Sequence, residues 1–190
     1  NAALAGLGKG NITGLVSPLS TSLIGEGQFA ALSPAQIGLL TDAQLATMGD
    51  DNAAALTGPQ VAAITAGQAA ALTATEIAAI QPAAFANLIA KAIAALNTAS
   101  SGTGSVVNIT VDQAAALTSV QTKALTAAQL ALFATDEIDA LSVNALKAID
   151  AADVASIQAG AFGGLTAAQV AALSPAQFAQ ISDGGLHVFG

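Results

Sequence analysis

Beginning at Val16, a sizeable apolar residue stands at every eighth position: Val16, Ile24, Leu32, Leu40, Met48, Leu56, Ile64, Leu72, Ile80, Leu88 and Leu96. The frame breaks across NTASSGTGSVVN (97–108) and restarts as Ile109, Leu117, Leu125, Phe133, Leu141, Ile149, Ile157, Leu165, Leu173, Ile181 and Phe189. A period this short, sustained this far, points to a stack of like units rather than one irregular core. It also argues against a continuous helix. Eight residues at about 100° each leave a drift of roughly 80° per repeat, and the apolar positions would wander around the surface.

The best copies of the octad read L-[ST]-x-x-Q-[IVLF]-A-A. Thr or Ser at the second position and Gln at the fifth have the spacing of a capping box, in which the hydroxyl and the Gln satisfy each other's backbone N–H groups. Pro34 and Pro175 directly follow their capping serines, at the first helical position, where a missing N–H costs nothing. Each octad therefore starts a new helix of about a turn and a half, with its apolar sixth position and the next Leu on one side. Helices this short are not stable alone. The expected fold is all-α, a solenoid of very short capped helices around a continuous apolar interior, with Ala at the last two positions allowing close approach.

Departures from the octad mark its boundaries. Residues 1–15 fit no copy and read as an N-terminal arm or cap, 16–97 as a first octad array, 98–108 as a Gly/Ser/Thr linker and 109–190 as a second array with the C-terminal end. Ser105 to Val111 is rich in β-branched residues, which predicts a short extended segment near 105–111. Ile89 replaces a cap, and Ala84 and Ala92 replace Gln, so Pro82 to Leu96 is expected to fuse into one longer helix. Ala145 and Ala161 also lose the Gln, while Asn52, Glu76, Glu137 and Asp153 keep a polar group there.

LTGPQVAAI (Leu56 to Ile64), LTAAQVAAL (Leu165 to Leu173) and LSPAQIGLL (Leu32 to Leu40) carry a resemblance. They resemble the Ala/Thr/Gln-rich tandem octapeptides, of LTxxQVAA type, of large exported bacterial surface and adhesin-like proteins. The resemblance covers most of the chain and implies export and a scaffold or contact role at the cell surface. It carries over no functional residues.

Composition narrows the function classes. The net charge of -8 comes from 12 acids against 4 lysines, with no Arg. Nucleic-acid binding needs basic groups to displace counterions from phosphates, so no nucleic-acid partner is expected. An anionic membrane surface is disfavoured for the same reason. The most membrane-like run, Ile77 to Leu96, is interrupted by Gln81, Pro82, Asn87 and Lys91 and reads as packed helix, so no membrane insertion is expected. The absence of Cys removes disulfides and thiol chemistry. Together with acidity and the lack of Arg, it fits an extracellular, secreted or cell-surface protein. The chain opens at Asn1 without a basic or apolar leader, which fits a processed or excised segment.

The inventory for catalysis is poor. His187, in the end segment, is the single His, and Cys, Arg, Tyr and Trp are absent. No GxSxG elbow positions a Ser, and Gly6 to Gly10 (GLGKG) lacks the phosphate-loop spacing. Acids gather at Asp50, Asp51 and Asn52, at Asp136, Glu137 and Asp139, and at Asp150 and Asp153, but none matches a calcium loop. Acids in the first turn of a helix favour its dipole without any metal. No catalytic, cofactor-binding or metal-binding residue is assigned, and no cofactor is expected.

Two sequons, at Asn11 and Asn108, would accept glycans in a host that glycosylates such sites. The Thr series (Thr41, Thr57, Thr65, Thr73, Thr110, Thr118, Thr126, Thr166) offers regularly spaced hydroxyls for ice or glycans, against the simpler use of those hydroxyls as caps. Low charge and open solenoid ends favour self-association, and end-to-end contacts that do not close make filaments. The chain is therefore expected to be a non-enzymatic, self-assembling subunit of a filament or surface layer, a homo-oligomer or polymer joined through 1–15 and 184–190. The alternatives are a stalk segment of a large adhesin and, less favoured, an ice- or glycan-binding module.

Overall fold

In a computed structural model, residues 29–96 and 109–184 are described. The chain divides into two compact units, Asn1–Asn108 and Ile109–Gly190. Among the described residues the structure is all-helical, with no strand. The first unit runs Phe29–Ala31 (3-10), Pro34–Ile37, Asp42–Leu45, Asp50–Ala54, Gly58–Ala62, Ala66–Ala71, Ala74–Ala79, Pro82–Phe85 and Ala90–Ala95. The second runs Val111–Ala116, Ser119–Ala124, Ala127–Leu130, Thr135–Ala140, Val143–Lys147, Ala151–Val154, Ala159–Phe162 (3-10), Ala167–Ala172 and Pro175–Gly184.

Every described helix ends before the first residue of the next octad except Pro175–Gly184, which runs on through Ile181. Leu72 leaves helical geometry (φ -59°, ψ 138°) and Thr73 after it is also extended (φ -74°, ψ 160°), so two extended residues make the corner between helices. At Thr65 the box closes on both sides: the Thr65 N–H donates to Gln68 Oε1 at 2.8 Å and the Gln68 N–H to the Thr65 hydroxyl at 3.3 Å. Ser33, Thr41, Thr73, Thr110, Thr118, Thr126 and Thr166 cap in the same way. Thr57 instead donates its hydroxyl to Gln60 Oε1, at 2.8 Å.

The main packing within each unit follows one rule: a helix lies against the helix three octads further along the chain, although Pro175–Gly184 also touches Ala159–Phe162, two octads back. Pro34–Ile37 packs on Gly58–Ala62 and that on Pro82–Phe85, Asp42–Leu45 on Ala66–Ala71 and that on Ala90–Ala95, and Asp50–Ala54 on Ala74–Ala79. In the second unit Val111–Ala116 packs on Thr135–Ala140, Ser119–Ala124 on Val143–Lys147 and that on Ala167–Ala172, and Ala127–Leu130 on Ala151–Val154. Small residues bring these backbones together; a Cβ on Gly38 would stand 3.2 Å from the Ala63 carbonyl.

The first and sixth positions fill the interior. Leu32, Ile37, Leu40, Leu45, Leu56, Val61, Ile64, Leu72 and Ile77 are all buried, and so are Leu130, Phe133, Ile138 and Leu141 in the second unit. Removing a side chain of this size from water stabilises by about 1.5–3 kcal/mol, which is what holds helices of four to six residues.

Two expectations need correction. Pro82 to Leu96 is not one helix: Pro82–Phe85 ends and Ala90–Ala95 begins after Ile89, which is extended (φ -68°, ψ 150°) although it has no side chain to cap with. The physical reason is the interior. Leu88 and Ile93 are both buried, and a continuous helix would set them about 140° apart. The extended segment expected near 105–111 does not reach its far end, because Thr110 is an extended cap and Val111 is already the first helical residue. Residues 105–108, like 1–15 and the linker 98–108, lie outside the described residues.

Candidate functional site

Apart from Thr122 at a sixth position, the buried polar side chains among the described residues stand at the fifth position. Gln36, Gln44, Gln60, Gln68, Gln113, Gln121, Gln129, Gln169 and Gln177 are all buried, with Asn52 and Glu76 at the same position in their octads. A capping box uses only the Gln oxygen, and here the nitrogen works as well. Gln68 Nε2 donates to the carbonyls of Leu40 at 2.7 Å and Ile37 at 2.8 Å. Gln60 Nε2 donates to Leu32, three octads back, at 2.7 Å and to Phe29, in the octad before that, at 3.1 Å. In the second unit Gln169 reaches Leu141 and Asp139, each at 2.9 Å, and Gln177 reaches Ile149 at 2.8 Å and Leu146 at 3.2 Å. One carboxamide thus caps its own helix and ties it to the layer before it.

The signal for this second role is Gln itself. A carboxylate caps equally well but has no N–H to give to a carbonyl. Glu76, the buried exception, comes with two compensating changes in the octad beneath it. Gly49 adopts φ 82° and donates its N–H to Glu76 Oε1 at 2.9 Å, while Asn52 Nδ2 takes over the Met48 carbonyl at 2.9 Å. Glu76 Oε2 still accepts from the Thr73 N–H and hydroxyl, both at 2.9 Å.

The acidic groups noted in the sequence sit in helix first turns at Asp50 and Asp51 and at Asp136 and Glu137. Among the described residues no three His, Cys, Asp or Glu side chains gather to hold a metal ion. Asp139 differs from the rest. Its Oδ1 is buried without a hydrogen-bond partner, and a Cβ on Gly164 would collide with its Oδ2. Burial, and after it the Asp136 carboxylate, hold the Asp139 carboxyl above its usual pKa.

The Thr hydroxyls do not form one face. The helix capped by Thr57 packs between those that follow Ser33 and Gln81, the helix capped by Thr65 between those that follow Thr41 and Ile89, and the helix capped by Thr73 lies on the one that follows Gly49. Consecutive Thr residues therefore belong to three different stacks; Thr41 and Thr65 are neighbours in one of them, whereas Thr57 lies next to Ser33 and Gln81, and Thr73 next to Gly49. His187, Gly6 to Gly10 and the sequons at Asn11 and Asn108 lie outside the described residues.

Among the described residues no helix is long and apolar enough to cross a membrane. Compared with protein-family models, with curated proteins and with solved structures, the chain has no match in any of the three.

Proposed function

We propose that the chain is a solenoid with three octads to each coil, and that it is a non-enzymatic structural subunit that assembles end to end outside the cell. The observation that carries this reading is the buried glutamine between layers. Its acceptor caps its own helix and its donor holds one coil on the next, and the same repeat fills the interior with Leu, Ile and Val. A chain organised in this way devotes its polar interior to stacking and offers a repeating end to which more layers can be added. The charge-poor composition and the absence of Cys and Arg support an exported, structural role. So does the resemblance of LTAAQVAAL (Leu165 to Leu173) to the octapeptides of bacterial surface proteins. Chain ends that meet head to tail without closing a ring give a filament or layer.

The test is sedimentation velocity on the chain and on a form lacking residues 1–15, the front side of the proposed joint. The full chain is expected to grow with concentration, and the truncated one to stay monomeric with its helical circular dichroism intact. Unchanged assembly after truncation removes residues 1–15 from the joint. A full chain that stays monomeric at every concentration contradicts the assembly reading and favours a stalk segment of a larger adhesin.

A further inference from the structure

Among the described residues of the second unit, lysines and acids stand on different stacks. Lys123 and Lys147, the only lysines in Ile109–Gly190, are both exposed at the seventh position of octads three apart. Their helices, Ser119–Ala124 and Val143–Lys147, pack on each other, so the two lysines form one column. Asp112 and Asp136 are exposed at the fourth position of octads three apart, on Val111–Ala116 and Thr135–Ala140, which also pack on each other. They form a second column on the neighbouring stack. The octads of the lysine stack contain no acid, and those of the Asp stack contain no lysine.

The lysine column is flanked by exposed apolar side chains. Val120 stands one turn before Lys123 and is 67% exposed, more than any other large apolar side chain among the described residues. Val143, also exposed, stands one turn before Lys147, and Val111, exposed too, adjoins Asp112. Each lysine lies in the last turn of its helix, where the dipole favours it. That accounts for either lysine alone but not for the valines beside both, at places where the octad LTAAQVAA carries Ala. Asp136 has a further use for a cation. After burial, repulsion by Asp136 is what holds the Asp139 carboxyl above its usual pKa, and a lysine brought to Asp136 relieves it.

We infer that the Val120, Lys123, Val143 and Lys147 face of one copy docks sideways on the Val111, Asp112 and Asp136 face of a second copy. This rests on the end-to-end assembly reading above and adds its lateral contact. The match is one of register. One coil separates the two lysines and one coil separates the two acids, so their rise is the same whatever its value, and a copy laid alongside pairs both lysines at once. An anionic lipid surface offers charge without that register and leaves the Asp column unmatched. Every copy carries both columns, so the contact repeats from copy to copy without needing to close. Exposed ion pairs contribute little singly, so two lone chains are not held by this face. Along a filament the contact recurs with every subunit and adds up, which broadens filaments into layers.

Two full-length double variants reverse opposite sides of this contact: Lys123→Glu with Lys147→Glu, and Asp112→Lys with Asp136→Lys. Each is checked for helical circular dichroism and imaged by negative-stain electron microscopy beside wild type. Wild type is expected to form filaments associated side by side, and each variant alone single filaments at least twofold narrower. A 1:1 mixture is expected to regain the wild-type width, because each variant then offers the charge that the other lacks. If a reversal loses helical signal, Lys→Gln or Asp→Asn at the same positions replaces it, with narrow filaments expected alone and in the mixture. Folded variants as wide as wild type, a mixture of the two reversals that stays narrow, or wild-type filaments that remain single overturn the lateral face and leave the end-to-end reading standing. Single wild-type filaments that sediment with phosphatidylserine vesicles through Lys123 and Lys147 would give the lysine face to lipid instead. Wild type that never assembles overturns both readings.

Discussion

A single glutamine does three jobs in this fold. Gln68 accepts the Thr65 N–H, receives its own backbone cap from the Thr65 hydroxyl, and donates to Leu40 and Ile37. A buried polar group left without its partner costs about 1–3 kcal/mol, and Gln68→Ala strands several. Gln68→Ala is therefore expected to lower stability by roughly 2–4 kcal/mol in urea denaturation. Gln68→Glu keeps the cap but sets a carboxylate against two carbonyls, so it is expected to be worse at neutral pH and to recover partly in acid.

Asp139 gives a pH dependence of known sign. Its native carboxyl titrates above its usual value, so between the usual and the raised pKa the native state holds more proton than the unfolded state. Stability is expected to rise as pH falls through the raised pKa and to level off below the usual value. Asp139→Asn is expected to raise Tm at neutral pH and to flatten that part of the profile; an unchanged profile would remove Asp139 as its source.

At the scale of the element, most of the fold was legible in the sequence and the exceptions are instructive. The start of each helix that carries a box was readable because a Thr or Ser and a Gln three residues apart have few other uses. The break at Ile89 was not, because neither Ile89 nor Ala92 can make a box. It is imposed by Leu88 and Ile93, which must both face the interior. A helix start held by packing alone lacks its cap, and a cap contributes about 0.5–2 kcal/mol. Ile89 is 43% exposed and already extended, so Ile89→Thr needs no rearrangement and is expected to raise stability by roughly 1 kcal/mol in thermal melts. A loss of stability would mean that the exposed Ile89 side chain matters more than the missing cap.

At the scale of the whole molecule, the octad fixes what each helix looks like inside but not where the chain goes next. The partner three octads on depends on the geometry of the corners, such as the two extended residues Leu72 and Thr73, whose angles the repeat does not spell out. The layer-bridging role of Gln was hidden for the same reason. Its acceptor half serves a neighbour three residues away and is visible locally, while its donor half serves Leu40 or Ile37 across a layer and needs the path of the chain. The last described octads, with Leu165 and Leu173 half-buried and Phe178 exposed, likewise look ordinary as sequence.

The measurement that bears most directly on the central claim is negative-stain electron microscopy of the purified chain across a concentration series. The account predicts regular filaments or layers that lengthen or spread with concentration. Isolated short particles at every concentration would contradict it.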